Sequence, residues 1–298
     1  MDGFMRRVLR LVLRFGFKPV LGPPFGVTLL RICSDYLMPV AGRKAADTCC
    51  RDTVCGGMPT TATRKGASGR SPNAVLHFHG GAFVIGSPTS HKVLLSHLAT
   101  ATGADVFAPD YRLAPTYKHP AQKEDALEVY KDLLDKGYNS CRIAMTGDSA
   151  GGGLAVQTVQ TLRDKGMPLP ACVVLFSPWI DYTLTGDSMV RMARRDPFLR
   201  KSFLSMAVKH MDKAIMAGVR PLDEDMSGLP PMLIHVGTDE ILYSDSVRLA
   251  ENARTGGVDV RLESFEGLWH VFHLNAGMLP SATRAVADAG EFIRKHWQ

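Results

Sequence analysis

The chain has 298 residues, of which 45% are hydrophobic and 21% charged; this is an ordinary globular composition and excludes collagenous and wholly disordered classes. No uninterrupted apolar run approaches the length of a helical membrane span, and six cysteines without a C-x-x-C pair predict a reduced, cytoplasmic protein rather than a disulfide scaffold. The net charge of +6 is concentrated at one end: Arg6, Arg7, Arg10, Arg14, Lys18 and Arg31 against Asp2 give residues 1–34 a charge of +5 and leave +1 for the rest. A nucleic-acid surface needs basic groups spread over the folded body, so no nucleic-acid partner is expected.

Residues 4–15 read as a helix, with Arg6, Arg7, Arg10 and Arg14 on one narrow arc and Phe4, Val8, Leu11, Val12 and Phe15 opposite. The leading expectation is that the apolar side packs on the body of the protein. Peripheral contact with an anionic membrane surface and a role as a transit peptide are the alternatives.

Gly/Pro-rich stretches at 19–26 and a loop at 56–72 separate this segment from a regular alternation. Short apolar runs at 74–79, 104–109, 141–146, 171–177, 232–236 and 258–265 read as strands. Amphipathic stretches near 90–102, 121–136, 150–165, 242–255 and 281–296 read as helices. Such alternation predicts an α/β fold with a mostly parallel sheet flanked by helices. From 178 to 231 no strand pattern occurs, which predicts an inserted helical cap. Met189, Met192, Met206, Met211, Met216 and Met226 fall there; they suit either an adaptable substrate-facing surface or ordinary core packing.

The strand candidate ending at Thr146 runs directly into Gly147-Asp148-Ser149-Ala150-Gly151-Gly152 and then a helix. This is G-x-S-x-G in the strand–turn–helix setting of a nucleophile elbow, with glycines on both sides of Ser149 because a Cβ there would strike backbone. Earlier, His77-Phe78-His79-Gly80-Gly81-Ala82 ends another strand. The N–H groups of Gly80, Gly81 and Ala150 are the expected oxyanion donors, with His79 shaping the loop by hydrogen bonding. A zinc site on His77 and His79 would leave the glycines unexplained and has no further ligand cluster, so no metal is expected.

A serine needs a histidine to take its proton and a carboxylate to orient that histidine, each on a loop after a strand. Asp239 follows the strand at 232–236 and His270 follows the strand at 258–265, in the order Ser, acid, His. His273 is the second choice as base; Asp245 lies further into the next helix and is worse placed.

These residues resemble the hormone-sensitive-lipase family of α/β-hydrolases. The matching elements are HGGAF at 79–83, DYRLAP at 110–115, GDSAGG at 147–152, SPW at 177–179, SGLPP at 227–231, GTDEIL at 237–242 and WHVF at 269–272. The GDSAG form is similar to bacterial-type carboxylesterases, arylacetamide deacetylases and monoterpene lactone hydrolases. The resemblance implies a cap segment at 1–50, a catalytic domain at 51–177 and 226–298, and an inserted cap at 178–225, with supporting roles for Asp148 and Tyr111. Two positions depart from it: Ala82 stands where the family usually has a third glycine, and Thr116 where it usually has Glu. The expected function is hydrolysis of short- to medium-chain carboxylic esters through an acyl-enzyme on Ser149, without cofactor. A lactone or aryl-amide hydrolase, or a non-catalytic small-molecule receptor on the same fold, are the alternatives. The expected partner is the small ester substrate; a homodimer is a further one the sequence leaves open.

Overall fold

A computed structural model describes residues 2–66 and 69–297. The N-terminal segment is helical: α1 (Asp2–Val12) passes through a π turn into α2 (Lys18–Val20), and α3 (Val27–Leu37) follows. Strands β1 (Thr48–Cys55) and β2 (Met58–Lys65) form a hairpin that the sequence reading treats partly as loop. Both are polar and β1 is largely exposed, so they lack the apolar run that marks the inner strands. The boundary expected after residue 50 falls inside β1; the helical segment ends by residue 47.

The remaining elements alternate as expected: β3 (Ala74–Phe78), α4 (Lys92–Thr102), β4 (Asp105–Pro109), α5 (Ala121–Asp135), β5 (Ile143–Asp148), α6 (Ala150–Asp164) and β6 (Cys172–Phe176). The stretch after β6 holds only short helices, α7 (Ser188–Arg191), α8 (Lys201–His210) and α9 (Lys213–Ala217), before β7 (Met232–Gly237), α10 (Tyr243–Thr255), β8 (Val260–Phe265) and α11 (Pro280–His296). The eight strands form one sheet in the order β1-β2-β4-β3-β5-β6-β7-β8, parallel from β4 to β8, with the hairpin antiparallel at one edge. Every residue of β3 to β7 is buried, as continuous apolar strands between two helical layers must be. α4 packs on α11 and α5 on α6, covering the sheet.

Helix α1 overturns the expectation of its packing side. Phe4 and Phe15 are 71% and 72% exposed, and Val8, Leu11 and Val12 are exposed as well. Arg6, Arg10 and Arg14 of the arginine arc face the protein while Arg7 is exposed, and Leu9 and Leu13 beside them enter the core. The reason lies in what the body presents. Carbonyls of 193–196 and 266–267 line up under the helix, and Arg6, Arg10, Arg14 and Lys18 satisfy them. Among the described residues no helix is long and apolar enough to cross a membrane. This orientation predicts that Leu13→Ala lowers unfolding stability by about 2–4 kcal/mol, whereas Phe15→Ser changes it by less than about 0.5 kcal/mol. Urea unfolding of both variants checks it; the reverse ranking would put the apolar arc inside.

Candidate active site

Four loops at the carboxyl ends of β3, β5, β7 and β8 converge with the helical segments over them. At the end of β5 the chain turns so sharply that Ser149 takes φ 52° and ψ −121°, outside the ordinary regions for a residue with a Cβ. The flanking glycines follow from contact distances: a Cβ on Gly147 would lie 2.3 Å from the Gly151 carbonyl oxygen, and one on Gly151 would lie 1.9 Å from that of Phe78. Ser149 N–H donates to the Phe176 carbonyl at 2.9 Å, which pins the elbow to β6. The serine therefore stands at the first turn of α6, where unpaired amides and the helix dipole favour negative charge.

The glycine loop after β3 divides its amides between two tasks. Gly80 N–H, expected to face an oxyanion, donates instead to Asp148 Oδ1 at 3.0 Å. Gly81, at φ 121°, turns the chain the other way; a Cβ there would meet the Ile85 carbonyl oxygen at 2.0 Å. Ala82 follows at φ 54°, the left-handed conformation a glycine would adopt more cheaply. Among the described residues the N–H groups of Gly81, Ala82 and Ala150 have no protein acceptor, and Gly81 and Ala82 line the cavity beside Ser149.

Asp148 is the fastener of this loop. Besides Gly80 it faces His77 Nε2 and His91 Nε2, each at 3.2 Å. Burial alone would raise its carboxyl, but His91 and His77 outweigh burial and hold it far below the carboxylate range. His91 is buried too, yet Asp148 raises its pKa. His79 Nδ1 lies 2.8 Å from the Gly80 carbonyl, and its ring stacks on Tyr111, whose hydroxyl donates to the His79 carbonyl at 2.6 Å. Burial, reinforced by His91, lowers His79 to about 3, so it is neutral. His77 turns to Thr146 and Asp148, away from His79 Nδ1's partner.

The acid differs from the sequence expectation. Asp239 makes no contact with His270; its carboxylate pairs with Arg10 and Arg195. Glu240, the next residue, points the other way. Its Oε1 lies 3.1 Å from His270 Nδ1, while Oε2 accepts from Ser177 Oγ at 2.8 Å and from Gly237 N–H at 3.0 Å. Ser177 Oγ also accepts from Val271 N–H at 3.1 Å, so one hydroxyl ties the acid to the loop of the base. The loop's own signal is the apolar pair Ile241-Leu242, which carries Glu240 inward as both residues become fully buried. His273 is unsuited as base: it is sealed between β6 and β7, 3.2 Å from His235 and against the Phe176 ring, and burial pushes its pKa well down. Asp245 accepts from the Ile180 and Asp181 amides at 2.9 Å, fastening the inserted segment, and burial raises it to about 7.

Ser149 and His270 open into one apolar cavity. Its walls are Phe17, Val20, Leu21, Leu30 and Leu37 from the N-terminal segment and Phe198, Leu199 and Phe203 from the inserted one. None of the six methionines of 178–231 lines it; Met189, Met211, Met216 and Met226 are buried in the packing of the inserted segment itself. Phe198 also stacks against His270, with ring centroids 6.1 Å apart.

Known proteins share this fold. Residues 75–274 match the family model described as an alpha/beta hydrolase fold. An acetyl-hydrolase of Streptomyces hygroscopicus is 40% identical over 74% of this chain and 75% of its own length, and an esterase of Acinetobacter venetianus is 35% identical over 76% of each. Among solved structures, an esterase from the bacterial hormone-sensitive lipase family superposes with a TM-score of 0.90 at 35% identity, covering 99% of this chain and 98% of that one. EstE5 soaked with p-nitrophenyl butyrate superposes with a TM-score of 0.91 at 33% identity over 98% of both chains.

Proposed function

Because the chain belongs to the hormone-sensitive-lipase family of α/β-hydrolases and is a carboxylic ester hydrolase, we propose that it cleaves short-chain acyl esters using Ser149, His270 and Glu240. The observation that carries this reading is the meeting of a strained elbow serine and a carboxylate-held histidine in one apolar cavity. His270 takes the Ser149 proton through Nε2 as Oγ attacks the ester carbonyl. The carbonyl oxygen gains the electron pair and is received by the N–H groups of Gly81, Ala82 and Ala150, each such donor being worth roughly 3 kcal/mol in the transition state. Collapse of the tetrahedral intermediate expels the alcohol, which leaves with the proton from His270. Water, deprotonated by the same nitrogen, then releases the acid and restores Ser149. Glu240 accepts the hydrogen bond of the His270 Nδ1–H and so keeps the ring's other nitrogen turned to Ser149.

A narrow apolar cavity supports a small acyl group, as does likeness to a protein named acetyl-hydrolase and to a structure soaked with a butyrate ester. The test is hydrolysis of p-nitrophenyl acetate, butyrate, octanoate and palmitate. Acetate or butyrate should exceed palmitate by about 100-fold in kcat/KM, from the few kcal/mol lost when a chain outgrows its pocket. A palmitate optimum would reject the short-chain assignment. Turnover of a lactone or aryl amide with no ester cleaved would transfer the same groups to another scissile bond.

A further inference from the structure

The basic arc of α1 does more than seat a helix. Arg6 Nη1 donates to the Glu266 carbonyl at 3.0 Å, Arg14 to the Arg194 carbonyl, and Lys18 to the Ala193 carbonyl at 3.0 Å; each of these reaches a single neighbouring segment. Arg10 reaches three. Its Nη1 donates to the Arg195 carbonyl at 3.2 Å, and its Nη2 to the Gly267 carbonyl at 3.1 Å and to the Asp239 carboxylate. Those acceptors belong to the inserted segment, the loop that ends in His270 and the loop that holds Glu240. The Asp239 side chain is buried and is also met by Arg195 at 2.9 Å, so the carboxylate is held between two guanidinium groups.

The two catalytic loops are also joined to each other directly, besides the Ser177 bridge. Asp239 N–H donates to the Leu268 carbonyl at 2.9 Å, and Gly267 N–H to Thr238 Oγ1 at 2.9 Å. On the cap side Asp196 Oδ2 accepts from Ile241 N–H at 2.9 Å, while Phe198 of the same turn stacks on His270. The acid loop and the base loop are thus tied from within the catalytic domain by these bonds and by Ser177, and from the N-terminal segment by Arg10, whose guanidinium bonds to both. We propose that Arg10 is a positioning residue: by bridging Asp239, Gly267 and Arg195 it makes the seating of the N-terminal helix a condition for the His270–Glu240 alignment. This rests on the assignment of Ser149, His270 and Glu240 given above. It also accounts for Asp239, which serves as the anchor for Arg10 beside the acid.

The test is the rate of covalent labelling of Ser149 by a fluorophosphonate, followed with kcat and KM for p-nitrophenyl butyrate, in the wild type, Arg10→Gln and Arg14→Gln. Arg14→Gln loosens the same helix without touching either catalytic loop. Arg10→Gln should reach the wild-type final stoichiometry, which shows a folded site, but with a labelling rate constant and kcat about tenfold lower and KM within about twofold, the signature of displaced rather than missing catalytic groups. Arg14→Gln should keep the wild-type rate. Equal loss in both variants, or an Arg10→Gln protein as fast as the wild type, overturns the proposal. Failure of the wild type itself to label overturns the underlying assignment instead.

Discussion

Ser149→Ala is expected to lower kcat for p-nitrophenyl butyrate by about 10⁶-fold while the protein stays folded. The substitution removes one oxygen and little else. The Ser149 amide still donates to Phe176, the turn glycines still clear their neighbours, and alanine takes the same positive φ at much the same cost. Cavity walls and oxyanion donors are untouched, so a residual rate of about 10³-fold over water should persist from those alone. Circular dichroism confirms the fold and steady-state kinetics read the loss. A variant that keeps a hundredth of the wild-type rate would remove the serine from the chemistry.

Glu240→Gln is expected to lower kcat by about 10⁴-fold, by analogy with the loss of an orienting carboxylate in other triads, and Asp239→Asn by no more than about tenfold. The asymmetry follows from the donors around Glu240. Ser177 Oγ and Gly237 N–H both point at Oε2, so a glutamine would turn its carbonyl oxygen toward them and its NH₂ toward His270 Nδ1. That NH₂ demands an unprotonated Nδ1, which places the ring proton on Nε2 and leaves no base for Ser149. The Asp239 carboxylate touches no ring nitrogen; its loss reaches the base through its partners Arg10 and Arg195. Kinetics of the two variants side by side decide the matter. A larger loss in Asp239→Asn would return the orienting role to Asp239.

Why Asp239 was the residue suggested by the sequence is instructive. Spacing after a strand locates the loop, and the loop after β7 holds the carboxylate that meets His270. Two carboxylates stand there in succession, and successive side chains leave a turn in different directions. Which of them faces His270 depends on how the loop docks on Ser177 and Val271, contacts from β6 and from after β8. The glycine loop teaches the same point: its backbone reversal is legible in Gly80-Gly81, but Gly80 N–H is consumed by Asp148, a partner 68 residues away.

Helix α1 is the plainest case. Its periodicity was enough to define a helix with two faces, and the usual rule sends the apolar one inward. Here a row of carbonyls from 193–196 and 266–267 needs donors, and the arginine arc supplies them, leaving Phe4, Leu11 and Phe15 outside. No pattern within residues 1–20 encodes what lies beneath them. The hairpin β1–β2 escaped for a related reason, since its stability comes from pairing with β4 rather than from apolar content.

By itself the sequence determined the alternation of strands and helices, the elbow at Ser149, the reversal at Gly80-Gly81 and the loop that presents His270. All of these arise from short-range causes: backbone sterics, side-chain period and the room a glycine leaves. The tertiary structure alone decided that Glu240 orients His270, that Gly81 and Ala82 rather than Gly80 face the cavity, and that the basic side of α1 turns inward. These depend on partners brought together from distant parts of the chain, where the direction of one side chain is set by the donors and acceptors that another element leaves unsatisfied.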